Sequence, residues 1–239
     1  MGILKGTEYY ISKGMGRAIM DYKMLAPKDK IAVAVSGGKD SLTLLRLLID
    51  RQAFVPIKYE VIAIHIDMGY PKSIAAKLIK YFKKLNVDYK IIKTDILKKT
   101  DKSKINCFWC SWNRRKELFL AANKLGCTKI ALGHHMDDIA ATMLLNLFFQ
   151  GEISTMVPKQ ELFKGKIILI RPLAYVEERL IKLFAKETKL AYNRCVCQHS
   201  IISNRNRMSR IIKELEKISP DIKKNIFRSL KRVKTDYLL

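Results

Sequence analysis

The chain has 239 residues, with 46 Lys and Arg against 22 Asp and Glu, a formal net charge of +24, and 49% hydrophobic residues. That balance excludes a wholly disordered chain, and the length suits one large domain with a small appendage. No apolar run approaches the ~18 residues of a membrane span and Met1 to Tyr10 lacks the apolar stretch of a secretory signal, so a cytoplasmic protein with no membrane partner is expected.

A basic helix is predicted over Tyr9 to Tyr22, inside an N-terminal helical segment 1–28. The β-branched run Ile31 to Val35 reads as a strand that ends at Ser36-Gly37-Gly38, with a helix from Ser41 to Arg51 behind it. The pattern repeats: strand Tyr59 to Ile66 and helix Lys72 to Leu85; strand Tyr89 to Lys93, a polar basic loop and helix Asn113 to Leu125; strand Lys129 to Leu132 and helix Met136 to Phe149. A fifth strand, Lys166 to Ile170, precedes a helix from Val176 to about Thr188. Strands alternating with helices imply right-handed crossovers, hence an α/β fold with a doubly wound parallel sheet over residues 29–190. Residues 191–239 read as a small C-terminal helical appendage. Within it, Met208, Ile211, Ile212, Leu215 and Ile218 recur at helical spacing, Ser219-Pro220 interrupts, and a basic helix starts at Asp221.

The positive charge is clustered. Arg205 to the C-terminus holds 11 basic and 4 acidic residues, and Lys93 to Lys116 holds 8 against 2. Clustering favours a polyanionic partner, because each neutralised phosphate releases a counterion. Arg114, Arg115, Lys223, Lys224, Arg228 and Arg232 are the candidate phosphate contacts.

Ser36-Gly37-Gly38-Lys39-Asp40-Ser41 is the most informative stretch. It lies between a buried strand and a helix start, at the sheet edge where ligands bind in open α/β folds. Two glycines let backbone N–H groups approach an anion, the helix N-terminus adds partial positive charge, and Lys39 adds a full one. The loop has neither Walker A nor G-x-G-x-x-G spacing. It resembles the pyrophosphate loop (PP-loop) of the ATP pyrophosphatases, which split ATP between its α and β phosphates to adenylate a carbonyl oxygen with Mg²⁺. Ser36, Gly37, Gly38, Lys39, Asp40 and Ser41 are thus candidate ATP contacts, and Asp40 a candidate Mg²⁺ ligand. Gly133-His134-His135-Met136-Asp137-Asp138 falls at the same edge. Gly133 and His134 are further candidate ATP contacts; Asp137 and Asp138 can hold Mg²⁺ or cap the helix that follows.

Five cysteines, an odd number, argue for thiolate chemistry rather than a disulfide framework. Cys127 reads as a packed thiol. Cys107-Phe-Trp-Cys110, followed by Arg114, Arg115 and Lys116, and the later Cys195-Val-Cys197 can supply four ligands for zinc, three for an iron–sulfur cluster, or a redox pair.

Between these alternatives the sequence decides only by resemblance. Ser36 to Ser41, Cys107-Phe-Trp-Cys110-Ser-Trp-Asn-Arg114-Arg115, Ala131 to Asp138, Asn146 to Phe149, Arg171 to Tyr175 and a late Cys197 stand in the order seen in the tRNA 2-thiocytidine synthetase family. From about Lys13 to Val233 the chain is similar to that family. The resemblance implies an ATP-dependent enzyme that replaces the C2 oxygen of cytidine 32 in tRNA by sulfur. It also implies a 4Fe-4S cluster on Cys107, Cys110 and Cys197, with catalysis resting on Lys39, Asp40, Cys107 and Cys110. ATP and Mg²⁺ are the other cofactors, and a cysteine desulfurase or sulfide supplies sulfur, with a homodimer possible. One departure is visible: the family's late element reads C-x-x-C followed by Gly-Ser, whereas this chain has Cys195-Val-Cys197-Gln198-His199, so Cys195 is the alternative third ligand. The rival readings are another ATP-dependent tRNA modification, either 2-thiouridine formation or lysidine-type ligation, and a non-catalytic, zinc-stabilised RNA-binding module.

The charge distribution predicts that tRNA affinity falls by about a thousandfold between roughly 50 and 200 mM salt. Filter binding over that range checks it, and a flat response contradicts phosphate docking.

Overall fold

A computed structural model describes residues 6–69, 73–96, 107–192 and 204–237. In chain order the elements are α1 (Gly6–Asp21), β1 (Asp29–Ala34), α2 (Lys39–Arg51), β2 (Tyr59–Asp67), α3 (Ala75–Lys84), β3 (Asp88–Lys93), α4 (Cys107–Lys124), β4 (Lys129–Ala131) and α5 (Met136–Gln150). There follow β5 (Lys159–Leu162), β6 (Ile167–Ile170), a 3-10 turn (Pro172–Tyr175), α6 (Glu178–Glu187), α7 (Asn204–Ile218), α8 (Ile222–Ser229) and a last 3-10 turn (Thr235–Tyr237).

The six strands run in the order β3-β2-β1-β4-β6-β5. Five are parallel; β5 alone is antiparallel, to β6. From β1 the chain winds outward through β2 and β3 on one side and returns to β4 and β6 on the other. The crevice at which the winding reverses therefore opens between the carboxyl ends of β1 and β4, the place where such sheets bind ligands. The α/β, mostly parallel fold expected from the alternating pattern is present.

Strand residues alternate between two cores, as the two-residue period requires. Ile31, Val33, Val61, Ala63 and Ala131 face α1, α2, α3 and α6, packing with Met15, Leu44, Leu45, Phe82 and Phe184. Ala32, Ile62, Ile64, Ile130 and Leu169 face α4 and pack with Leu118, Ala121 and Ala122. The N-terminal helix α1 contributes Ile11, Met15, Ala18 and Ile19 to the first core. The two C-terminal helices pack on α5 through Met208 and Ile212 against Ala140, Ala141 and Leu144. Phe227 of α8 packs with Met136, Ile139 and Ala174, its ring edge-on to Tyr175 at 5.4 Å. Among the described residues no helix is long and apolar enough to cross a membrane.

Three local expectations change. The fifth strand is the inner half of a hairpin. Its outer half, β5, has the polar sequence Lys-Gln-Glu-Leu because an edge strand meets water, so it carries no apolar run to find. The helix expected from Asn113 begins at Cys107, which puts the C-x-x-C pair in the first turn of α4 rather than in a loop. Trp109 packs into the core under α4. Finally, α2 starts at Lys39, so the phosphate-loop lysine belongs to the helix.

Replacing Phe227 by Ala removes the ring joining the appendage to α5 and the Pro172–Tyr175 turn. The expected loss is about 3 kcal/mol of stability, read from urea denaturation.

Candidate active site at the carboxyl edge of the sheet

The segment after β1 is shaped by Gly37, whose φ of +83° lies in the left-handed region, and a Cβ there would come 2.2 Å from Ile74 Cδ1. Both facts demand glycine. Ser41 knots the loop: its hydroxyl donates to the Gly38 carbonyl at 2.9 Å and accepts from the Ser36 N–H at 3.2 Å. Gly38 is the N-cap of α2 and makes no side-chain cap bond, so the first turn offers its N–H groups with no side-chain oxygen placed on them by the cap. His65, buried in β2, holds the strand leading into the loop, its Nδ1–H donating to the Val35 carbonyl at 2.7 Å. Burial lowers its pKa despite that bond.

The turn after β4 meets this loop. A Cβ on Gly133 would lie 3.0 Å from the Asp40 carbonyl carbon and the Ser41 nitrogen, so the strand end and the helix start are in contact. Around that contact the charges are paired. The Lys39 ammonium lies 3.0 Å from Asp40 Oδ1 and 2.9 Å from Glu178 Oε1 of α6. Burial alone would lower the Lys39 pKa, but the two carboxylates outweigh it and raise it. Burial would likewise raise Glu178; Lys182 and Lys39 instead hold it at about 2.

His135 is buried among three carboxylates, with Asp40, Asp137 and Asp138 at 3.7, 3.6 and 3.5 Å. They raise its pKa against the effect of burial. Asp138 accepts the His135 backbone N–H at 3.1 Å and pairs with Arg205 of α7 at 2.7 Å. Asp137 accepts the Glu178 N–H at 2.7 Å and pairs with Lys223 of α8 at 2.7 Å. These bonds outweigh burial and hold Asp137 well below the usual carboxylate range.

Of the two roles the sequence offers Asp137 and Asp138, Mg²⁺ binding or capping, the structure shows them in caps and in ion pairs that dock α6, α7 and α8. Lys223, a candidate phosphate contact, is 7% exposed and pairs with Asp137 and Glu216. The other cationic candidates face outward: Arg114, Arg115, Arg228 and Arg232 are exposed, and Lys224 is half-buried beside Asp221.

His134 adjoins the same turn. Its Nδ1 accepts from Arg171 Nε at 3.3 Å, and burial, reinforced by nearby positive charge, lowers its pKa to about 4. Arg171 opens one of the segments that carry the family resemblance, but its sequence context gives it no role at the site. It is 4% exposed, also donates to the Val157 carbonyl, and is lowered to about 10 by burial and by the charge of Arg115.

In the first turn of α4 Cys110 is 6% exposed, one turn after Cys107. Trp109 joins the core that contains Ala34 and Leu132, at the ends of β1 and β4. The helix that carries the cysteine pair thus packs on the sheet face that includes Ala34 and Leu132. Cys195 and Cys197 lie outside the described residues. Among the described residues no group of three or more His, Cys, Asp and Glu is arranged to hold a metal ion. Asp40 Oδ1 is buried and meets only cationic groups, the Lys39 ammonium at 3.0 Å and the His135 ring at 3.7 Å, a setting in which a carboxylate oxygen at the loop suits a cation.

Comparison with known proteins places this arrangement. A PP-loop domain model matches residues 12–215. A tRNA-cytidine(32) 2-sulfurtransferase of Geobacter sulfurreducens is 40% identical over 96% of this chain and 91% of its own length. The enzyme of that name from Geobacter metallireducens is 39% identical with the same coverage. Among solved structures, the U34-tRNA thiolase NcsA from Methanococcus maripaludis with its [4Fe-4S] cluster superposes with a TM-score of 0.78 at 26% identity, over 98% of this chain and 81% of that one. With the domain model matching most of the chain and these relatives about 40% identical along nearly its whole length, the chain belongs to the PP-loop family of tRNA-cytidine(32) 2-sulfurtransferases.

Proposed function

We propose that the chain is an ATP-dependent tRNA sulfurtransferase that adenylates the C2 carbonyl oxygen of cytidine 32 and replaces it with sulfur. The observation that carries this reading is the contact of two glycine turns at the switch point, Gly133 against the start of α2, in a sheet on which the cysteine helix α4 also packs. An ATP pyrophosphatase without sulfur chemistry has no use for Cys107 and Cys110.

A pyrimidine carbonyl oxygen is a poor leaving group. Attack of that oxygen on the α-phosphorus breaks the bond to pyrophosphate and makes AMP the leaving group, dividing one hard displacement into two easier ones. In the first step the N–H groups of Gly38 and the first turn of α2, together with Lys39, bind the departing pyrophosphate. To do so Lys39 exchanges its contacts with Asp40 and Glu178 for phosphate oxygens. Asp40 would hold Mg²⁺, which compensates phosphate charge when bound. In the second step sulfide, or persulfide sulfur brought to that level by a two-electron thiol reductant, adds at C2 and gives up its proton as the C–O bond breaks, so that AMP leaves with the original oxygen.

Cys107, Cys110 and Cys197, or Cys195 in its place, would hold a [4Fe-4S] cluster. The donor set suits it: soft thiolates, two of them one helical turn apart. Three cysteines for four irons leave one iron open, and that open position is the chemistry the cluster supplies for sulfur. Cys110 itself is buried, although Phe108 and Trp112 beside it are exposed. Exposed Arg114, Arg115, Arg228 and Arg232 grip the RNA backbone, and an anticodon-loop base reaches the crevice at low unstacking cost. Sulfur comes from an external donor such as a cysteine desulfurase or sulfide, and the reaction belongs in the cytoplasm. The exposed apolar side chains Phe148, Phe149 and Ile153 support self-association as a dimer.

The deciding experiment is anaerobic purification with iron and sulfide analysis, followed by nucleoside analysis of treated tRNA. The wild type is expected to yield 2-thiocytidine, and Cys107→Ala or Cys110→Ala less than about one hundredth of it. Normal 2-thiocytidine from either variant defeats the assignment.

A pH dependence follows from His134. Its folded pKa of about 4 lies below the ordinary 6.5, so the unfolded chain binds the proton more readily. The stability it contributes is full above about pH 6.5 and is lost as pH falls toward 4. His135, raised by its three carboxylates, works in the opposite sense. The urea midpoint of His134→Gln is therefore expected to fall less between pH 6.5 and pH 5 than that of the wild type.

A further inference from the structure

The cations around the crevice divide into two kinds. Lys223 is buried beside Asp137 and Glu216, and Lys39 lies between Asp40 and Glu178. Arg171 is buried as deeply as either, yet among the described residues no carboxylate lies within ion-pair distance of it. Its described partners are a neutral imidazole and a backbone carbonyl. Arg115, on the exposed side of α4, is near enough for its charge to oppose that of Arg171.

A buried guanidinium with no carboxylate partner is costly in an empty protein. The cost is offset when an anion sits against it. Arginine offers phosphate oxygens a planar fork of donors. His134 completes the donor set: with Nδ1 accepting from Arg171, its proton resides on Nε2, which is then a donor that carries no charge. The three residues come from three elements at the switch point, β4, β6 and α4. They adjoin Gly133, which touches the start of α2, so the niche is next to the Lys39 loop but separate from it.

We propose that Arg171, His134 and Arg115 form a second anion subsite in the crevice, which takes a phosphate group of a bound substrate. The subsite rests on the thiolation reading for its ligands: the phosphate belongs either to the adenylated nucleotide or to the RNA backbone next to the target base. In either case it fixes the α-phosphorus and the base relative to each other, while Lys39 holds the pyrophosphate.

Calorimetry with α,β-methylene-ATP and with an anticodon stem-loop RNA tests the subsite in the wild type, Arg171→Gln, Arg171→Lys, Arg115→Gln and Lys124→Gln. Lys124→Gln, exposed at the far end of α4, controls for loss of surface charge alone. Weakening of the nucleotide analogue by tenfold or more in both Arg171→Gln and Arg115→Gln, but not in Lys124→Gln, assigns the phosphate to the nucleotide. The same pattern for the RNA assigns it to the backbone. If Arg171→Gln does not fold, Arg171→Lys, which keeps the charge and loses the fork of donors, carries the same comparison. Affinities for both ligands within twofold of wild type in folded variants, or equal losses in Lys124→Gln, overturn the subsite and leave the thiolation reading standing. A wild type that binds neither ligand overturns both.

Discussion

The end of β4 rests against the first turn of α2 with room for a hydrogen and nothing larger. A single methyl at Gly133 would press on the Asp40 carbonyl carbon and the Ser41 nitrogen. That contact sets the position of everything else at the crevice. It fixes how far the phosphate loop stands from the His-His-x-Asp-Asp turn, and it brings Asp40 at the start of α2 within 3.7 Å of His135 at the start of α5. Sheet twist and strand spacing bring β1 and β4 side by side, but it is the missing side chain that lets two ligand-binding turns merge into one site.

Charge is distributed across that site unevenly. On the α2–α5–α6 side every charge has a partner, and the partners come from distant parts of the chain: Lys39 with Glu178, Asp137 with Lys223, Asp138 with Arg205. The pairs are partly buried, so breaking one strands its opposite number. On the α4 side positive charge stands without carboxylates. The first side is arranged to hold its shape when empty and the second to receive something, which fits a reaction with a diphosphate leaving in one direction and an RNA base arriving from another.

Much of this was legible in the residues. Ile31 to Val35 could only be a buried strand, and Gly-Gly-Lys after it could only be a turn close to an anion, because backbone geometry and hydrophobic burial leave few alternatives at such points. What stayed hidden was hidden for definite reasons. β5 is polar because it is an edge. The first turn of α4 is masked by Ser111, Trp112 and the Arg114–Lys116 run, which blur the helical period although Trp109 and Leu118 sit on one buried face. Lys223 read as surface charge because its partner, Asp137, lies in another element; a lysine's environment is tertiary information. Arg171 stood in a family segment with no sign of its role at the site. The chemistry was therefore readable where backbone geometry dictates residue type, and unreadable where only long-range pairing does.

The pairing of Asp137 with Lys223 has a consequence for how such proteins change over time. Neither residue can be exchanged alone without leaving an orphaned charge inside the molecule. Drift at either position is tied to drift at the other, so the catalytic edge and the carboxyl-terminal helix must be inherited as a set, and a graft of the sheet domain from one relative onto the tail of another succeeds only if the match across that bond is kept.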